Sequence, residues 1–85
     1  MTKHELVKRH LLQHKLITSW EAIEMYGATR LAAIIFNLRG EGFLIDSYDI
    51  QDHDRHGNIS TYVRYVMLAT PEQNEEIKKL QLKLF

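Results

Sequence analysis

An α+β fold is predicted for this 85-residue chain: three short helices, then a β-hairpin, then one further helix at the C-terminal end. Three observations predict it. Thr18 and Glu21 form a T-x-x-E capping box. Leu31, Ile34, Ile35 and Leu38 recur at the i, i+3, i+4, i+7 spacing of one buried helical stripe. Two strand-like stretches, 43–51 and 59–68, flank the turn formers DHDRHGN.

Residues 2–14 read as the first helix, with Leu6, Val7 and Leu11 on one stripe. His10 and His14 fall on or beside it at i, i+4. Such a pair can ligate a metal, but a site needs at least a third ligand. The pair is therefore read as two residues at the edge of the core, His14 placed where the helix dipole favours imidazolium. Leu16 and Ile17 form a short strand or an apolar tether.

The capping box starts a second helix at Ser19, which ends near Tyr26. Gly27 is suited to the left-handed residue that follows a helix. Trp20, Ile23 and Met25 supply apolar contacts, and Trp20 is expected in the core because a lone tryptophan on so short a helix is usually buried.

Thr29 is the expected N-cap of a third helix that runs from Arg30 to Arg39. At about 100° per residue, Ala32, Ala33 and Phe36 point away from the apolar stripe. Arg30 and Asn37 flank that outer face on one side and Arg39 on the other. Two helices joined by a glycine-containing turn, the second with a small and polar outer face, make the helix-turn-helix pattern. Phe36 is expected to pack on the hairpin or on the first helix; an exposed Phe36 would instead favour a protein interface.

After this helix comes R-G-E-G-F and then a strand, the way a winged helix passes from its recognition helix into its wing. The stretch ITSWEAIEMYGATRLAAIIFNLRGEGFLI, about a third of the chain, resembles the small helix-turn-helix domains common in bacteriophages and prophages. Their pattern is I-T-S, E-A, a glycine turn, T-R-L-A and L-R-x-E-G. The resemblance implies a winged helix-turn-helix over residues 1–70, with a three-helix core and a β-hairpin wing, and phage origin. It does not identify a target, and some domains of this shape bind proteins.

In the functional reading Thr29 and Arg30 meet phosphates at the start of the third helix. Arg30 could instead reach guanine, and Asn37 could pair with adenine. Ala32 and Ala33 allow close approach to the groove floor and can touch a thymine methyl. Arg39, Lys15 and, at the hairpin tip, Arg55 complete the expected DNA-contacting set of Thr29, Arg30, Ala33, Asn37, Arg39, Arg55 and Lys15. The plain alternative is that these are solvated surface residues with good helix propensity.

Charge tempers this reading. Eleven basic and eleven acidic residues cancel, whereas nucleic-acid binders usually carry a basic excess. The basic residues concentrate early, at Lys3, Lys8, Arg9 and Lys15, while Asp46, Asp49, Asp52 and Asp54 make the hairpin acidic. DNA contact should therefore use the helices more than the wing. His53, Arg55 and His56 could approach a phosphate backbone, but simple solvation is the default for that loop.

Thr70, Pro71 and Gln73 restart the chain as an additional helix over 71–85: threonine as N-cap, proline at the first position, glutamine closing a second capping box. Ile77, Leu80 and Leu84 share one face with Phe85 beside it, an expected dimerisation stripe of the kind a palindrome-binding regulator uses.

The chain has no cysteine, which fits a reducing compartment. Its apolar runs are too short to span a bilayer and its first residues too charged for a secretory signal. A cytoplasmic protein, the host's cytoplasm if phage-encoded, is expected. No phosphate-binding loop, nucleophile elbow or H-E-x-x-H is present, so neither enzyme activity nor a cofactor or metal is expected. The leading partner is duplex DNA; the competing reading is a protein-interaction module acting on a host protein.

Overall fold

The structure, a computed structural model, describes the backbone of residues 1–83 and the side chains of residues 1–80. Elements follow in the order α1 (Lys3–His14), β1 (Leu16–Thr18), α2 (Ser19–Tyr26), α3 (Leu31–Gly40), β2 (Leu44–His53), β3 (Ile59–Ala69) and α4 (Pro71–Lys83).

Local chemistry sets most of the boundaries. Glu5 N donates to the Thr2 hydroxyl and opens α1. At the next junction the Thr18 hydroxyl accepts from Glu21 N while Glu21 Oε1 accepts from Thr18 N, both at 3.1 Å. The box satisfies two of the amides that a helix start leaves unpaired. Gly27 closes α2 at φ 64°, with its own N–H donating to Ile23 O. A second reciprocal pair, Thr70 with Gln73, starts α4.

The three strands form one antiparallel sheet in the order β1-β3-β2, so the last strand is the central one. Ile17 pairs with Tyr65 on one side of it, and Ser47 pairs with the same Tyr65 on the other. Because side chains alternate along a strand, Tyr65, Met67 and Ala69 face inward together. They close a core with Val7 and Leu11 of α1, Ile17, Ala22, Leu31, Ile35, Leu38, Phe43 and Ile45. The stripe on α3 is thus buried as its spacing predicts, with Ile34 partly covered at its edge.

Other expectations require correction. Trp20 is 52% exposed, and Ile23 and Met25 are exposed as well; the buried residue of α2 is Ala22. A helix of eight residues reaches the core through one narrow edge, and there the small side chain lets α2 approach closely. His10 is no edge residue: it is 5% exposed, with Nδ1 hydrogen-bonded to the Tyr26 hydroxyl at 2.8 Å and its ring against His14. Phe36 packs on neither the hairpin nor α1 and is 75% exposed.

Past Tyr48 the hairpin has no third strand among the described residues and β2 is exposed over most of its length. At the sheet's other end α4 is fastened by its first turn. Asn74 Nδ2 donates to Gly42 O at 3.0 Å, and Pro71 lies so near Gly42 that a Cβ there would meet it at 3.2 Å. Gly42 also has φ 105°, which only glycine adopts readily. Beyond that turn Ile77 and Leu80 are exposed; Leu84 and Phe85 lie outside the described residues. The radius of gyration is 15.2 Å, above the roughly 12 Å of a compact chain this long.

Urea unfolding should rank three substitutions. Leu38→Ala is expected to cost about 2–5 kcal/mol and Thr18→Ala about 1 kcal/mol. Trp20→Ala, on an exposed side chain, should cost less than either; a loss as large as that of Leu38→Ala would place Trp20 in the core after all.

Candidate nucleic-acid interface

The buried stripe of α3 fixes which side of that helix faces outward. With Leu31, Ile35 and Leu38 inside, Ala32, Ala33, Phe36 and Asn37 stand exposed on the opposite side. Arg30 and Thr29 precede the first turn and are also exposed.

Thr29 is not the cap. Its N–H turns back to Gly27 O at 3.1 Å, and Arg30, at φ −111° and ψ 48°, occupies the cap position without a side-chain hydrogen bond. The helix therefore begins one residue later than its sequence suggests, with no side-chain cap for its first amides among the described residues. A helix start of this kind attracts anions, since the amide ends of the backbone dipoles converge there.

Of the seven residues singled out from the sequence, Thr29, Arg30, Ala33 and Asn37 share α3 and the turn before it. Arg39 is held elsewhere: Nε and Nη2 both donate to Ile45 O, at 3.1 and 2.8 Å, beside the register shift between Leu44 and Ile45. Its guanidinium braces the strand that follows α3.

Lys15 caps α1 in the left-handed conformation, φ 69°, and its carbonyl accepts from Met67 N at 2.7 Å. It borders a hollow formed with Met67, Leu68, Ala69, Thr70 and Gln73. Arg55 lies in the exposed turn at the hairpin tip. The candidate residues thus divide into one outward group, Thr29, Arg30, Ala33 and Asn37, and three others: Lys15, Arg55 and Arg39, the last on α3 but with its guanidinium bonded to Ile45 O.

The basic first helix is partly spent within the fold. Glu41, just after α3, accepts from His4 Nε2 at 2.8 Å and lies 3.6 Å from Lys8 Nζ. Lys8 also stands over the Phe43 ring at 5.4 Å. Lys3 and Arg9 remain exposed on the same helix.

At the hairpin tip Asp54 is a structural residue, a role that sequence reasoning missed. Its Oδ1 accepts from Asn58 N at 2.9 Å and from His56 N at 2.8 Å, and Gly57 completes the turn at φ 80°. Asp followed by glycine three residues on was the available signal. The amides of Asn58 and His56 hold the carboxyl below its ordinary value of 3.8. Arg64 was also missed. It sits on β3 between Thr18 and Tyr48, and its Nε is buried with no hydrogen-bond partner among the described residues.

His10 and His14 adjoin Leu16, Glu21 and Met25 around an open hollow. No group of three or more His, Cys, Asp or Glu side chains gathers there or elsewhere among the described residues. Nor is any described helix long and apolar enough to cross a membrane.

Because the folded pKa of Asp54 is depressed, the tip is fully stabilised above the ordinary carboxylate range and loses that contribution as pH falls through the folded value. Amide exchange, corrected for its intrinsic pH dependence, should show protection at His56 and Asn58 falling as the carboxyl is protonated. Asp54→Ala should remove that protection at every pH. Equal protection in the variant would deny Asp54 this role.

A family model described as a winged helix-turn-helix domain matches residues 2–70. None of the curated proteins matches the chain.

Proposed function

This chain belongs to the winged helix-turn-helix domain family, and from that premise we propose that it is a small phage-type regulator that binds duplex DNA with α3 in the major groove. The observation that supports this most is the outward face of α3. It runs from Arg30 and an uncapped helix start through Ala32 and Ala33 to Asn37, with no acidic side chain from the helix itself. Small residues let the helix axis approach the bases; Arg30 meets phosphate or guanine, and Asn37 meets adenine.

In this reading β2 and β3 are the wing. Their acidic flank of Asp46, Asp49 and Asp52 keeps the strands away from phosphate, and only Arg55 at the tip reaches toward the backbone. The phage assignment rests on the I-T-S, T-R-L-A and L-R-x-E-G pattern of the sequence.

Fluorescence anisotropy of labelled duplexes tests the reading. Phosphate contacts release counterions, so affinity must fall steeply with salt, with a slope of about −0.9 per neutralised phosphate. Arg30→Ala with Asn37→Ala should weaken binding at least tenfold and flatten that slope. Tight binding indifferent to the double substitution would remove α3 from the contact surface.

A second reading, a protein-interaction module toward a host factor, is favoured by the apolar side chains left open on Trp20, Met25 and Phe36. It predicts no salt-sensitive DNA binding even at low ionic strength.

The α4 stripe supplies the proposed dimer contact. Ile77 and Leu80 are exposed along the helix beyond its anchored first turn, and pairing with a second copy would bury them. Sedimentation equilibrium should show a dimer that Ile77→Asp with Leu80→Asp converts to a folded monomer. A wild-type monomer at high concentration would leave α4 without this role.

A further inference from the structure

Phe36 is the largest apolar group on the outer face of α3 and is 75% exposed. Its surroundings on the helix explain how it is presented. The neighbours at i−4, i−3 and i+4 are Ala32, Ala33 and Gly40, and at i+3 Arg39, whose guanidinium is held by Ile45 O; all four are exposed, and these are the positions a helical side chain lies beside. Side chains on a helix lean toward its N-terminus, which directs the ring toward the two alanines.

The result is a smooth apolar patch in mid-helix, with Arg30 and Asn37 along one margin. Hydrogen-bonding groups sit at the edge; the centre offers only carbon.

The major groove presents one apolar feature, the C5-methyl of thymine, which cytosine and both purines lack. A patch of phenylalanine and two alanines recognises that methyl by excluding water from it. Asn37 lies one residue from Phe36 and can take adenine N6 and N7, so the pair together fits an A·T step.

Resting on the DNA-binding reading, we propose that Phe36, bedded on Ala32 and Ala33, is a specificity-determining residue that selects thymine-bearing major-groove sites through the thymine methyl. Asn37 complements it by hydrogen bonding to adenine. Phe36 thereby confers sequence preference, and Arg30 confers sequence-independent affinity.

The probes are duplexes that the full chain enriches from a random pool, each resynthesised with deoxyuridine in place of every thymidine. That exchange removes the methyl and keeps all hydrogen-bonding groups. The enriched duplexes should share A·T steps, and the deoxyuridine versions should bind about fourfold more weakly for each methyl covered, the value of one buried carbon unit.

Phe36→Ala should bind the thymidine and deoxyuridine duplexes alike, with its circular dichroism and melting little changed because the ring is 75% exposed. Phe36→Leu should keep part of the discrimination. Enriched duplexes that bind equally with and without the methyls would overturn the thymine assignment alone, leaving DNA binding intact. So would undiminished discrimination by Phe36→Ala. Enrichment of no duplex, with no binding at low salt, would overturn both the assignment and the DNA reading beneath it.

Discussion

The insertion of β3 between β1 and β2 is the constraint on which the rest of the structure depends. Its inward residues Tyr65 and Met67 face the apolar sides of α1 and α3, and its two edges are each satisfied by a strand from an earlier part of the chain. Without it, three amphipathic helices would have no common surface to cover. An apolar core this small, in a chain of 85 residues, leaves little surplus stability. The capping boxes at Thr18 and Thr70 and the Arg39 bridge to Ile45 therefore matter more than they would in a larger domain.

The same constraint orients α3. Once Leu31, Ile35 and Leu38 are committed to the sheet, the opposite side of the helix must face outward. The outer residues are short except for Phe36, so the face is both approachable and apolar. Its charge comes from Arg30 at the helix start and Arg39 in the last turn, whose guanidinium is hydrogen-bonded to a strand carbonyl but keeps its charge, while Lys8 and His4 are engaged by Glu41. A chain of zero formal net charge can in this way still present a locally cationic helix start.

What was legible in the sequence was local. Thr18 with Glu21, Gly27, and Thr70 with Gln73 act through groups a few residues apart, so their spacing is their signature. The α3 stripe was legible because periodicity alone determines which residues share a face. Features that depend on distant segments were not. Trp20 stays outside because Ala22 meets the core instead, and Arg39, though exposed, donates to a carbonyl beside a strand irregularity. Thr29 failed as a cap because the first helical amides, Ala33 N and Ile34 N, bond to Arg30 O, which puts the helix start a residue later. Of the candidate contact residues, those on α3 were predictable from its stripe, while the placements of Lys15 and Arg39 required the fold.

The sheet order also dictates a sequence of events during synthesis. Ile17 waits for Tyr65, so the pairing that closes the sheet spans most of the chain, and such long-range closures slow folding. On a ribosome the outward-facing helix is complete well before the strand that orients it has been made. Until β3 emerges, the apolar stripe of α3 has only the other helices and a β2 without its partner strand for shelter. The domain thus becomes competent in one late step, when its central strand arrives.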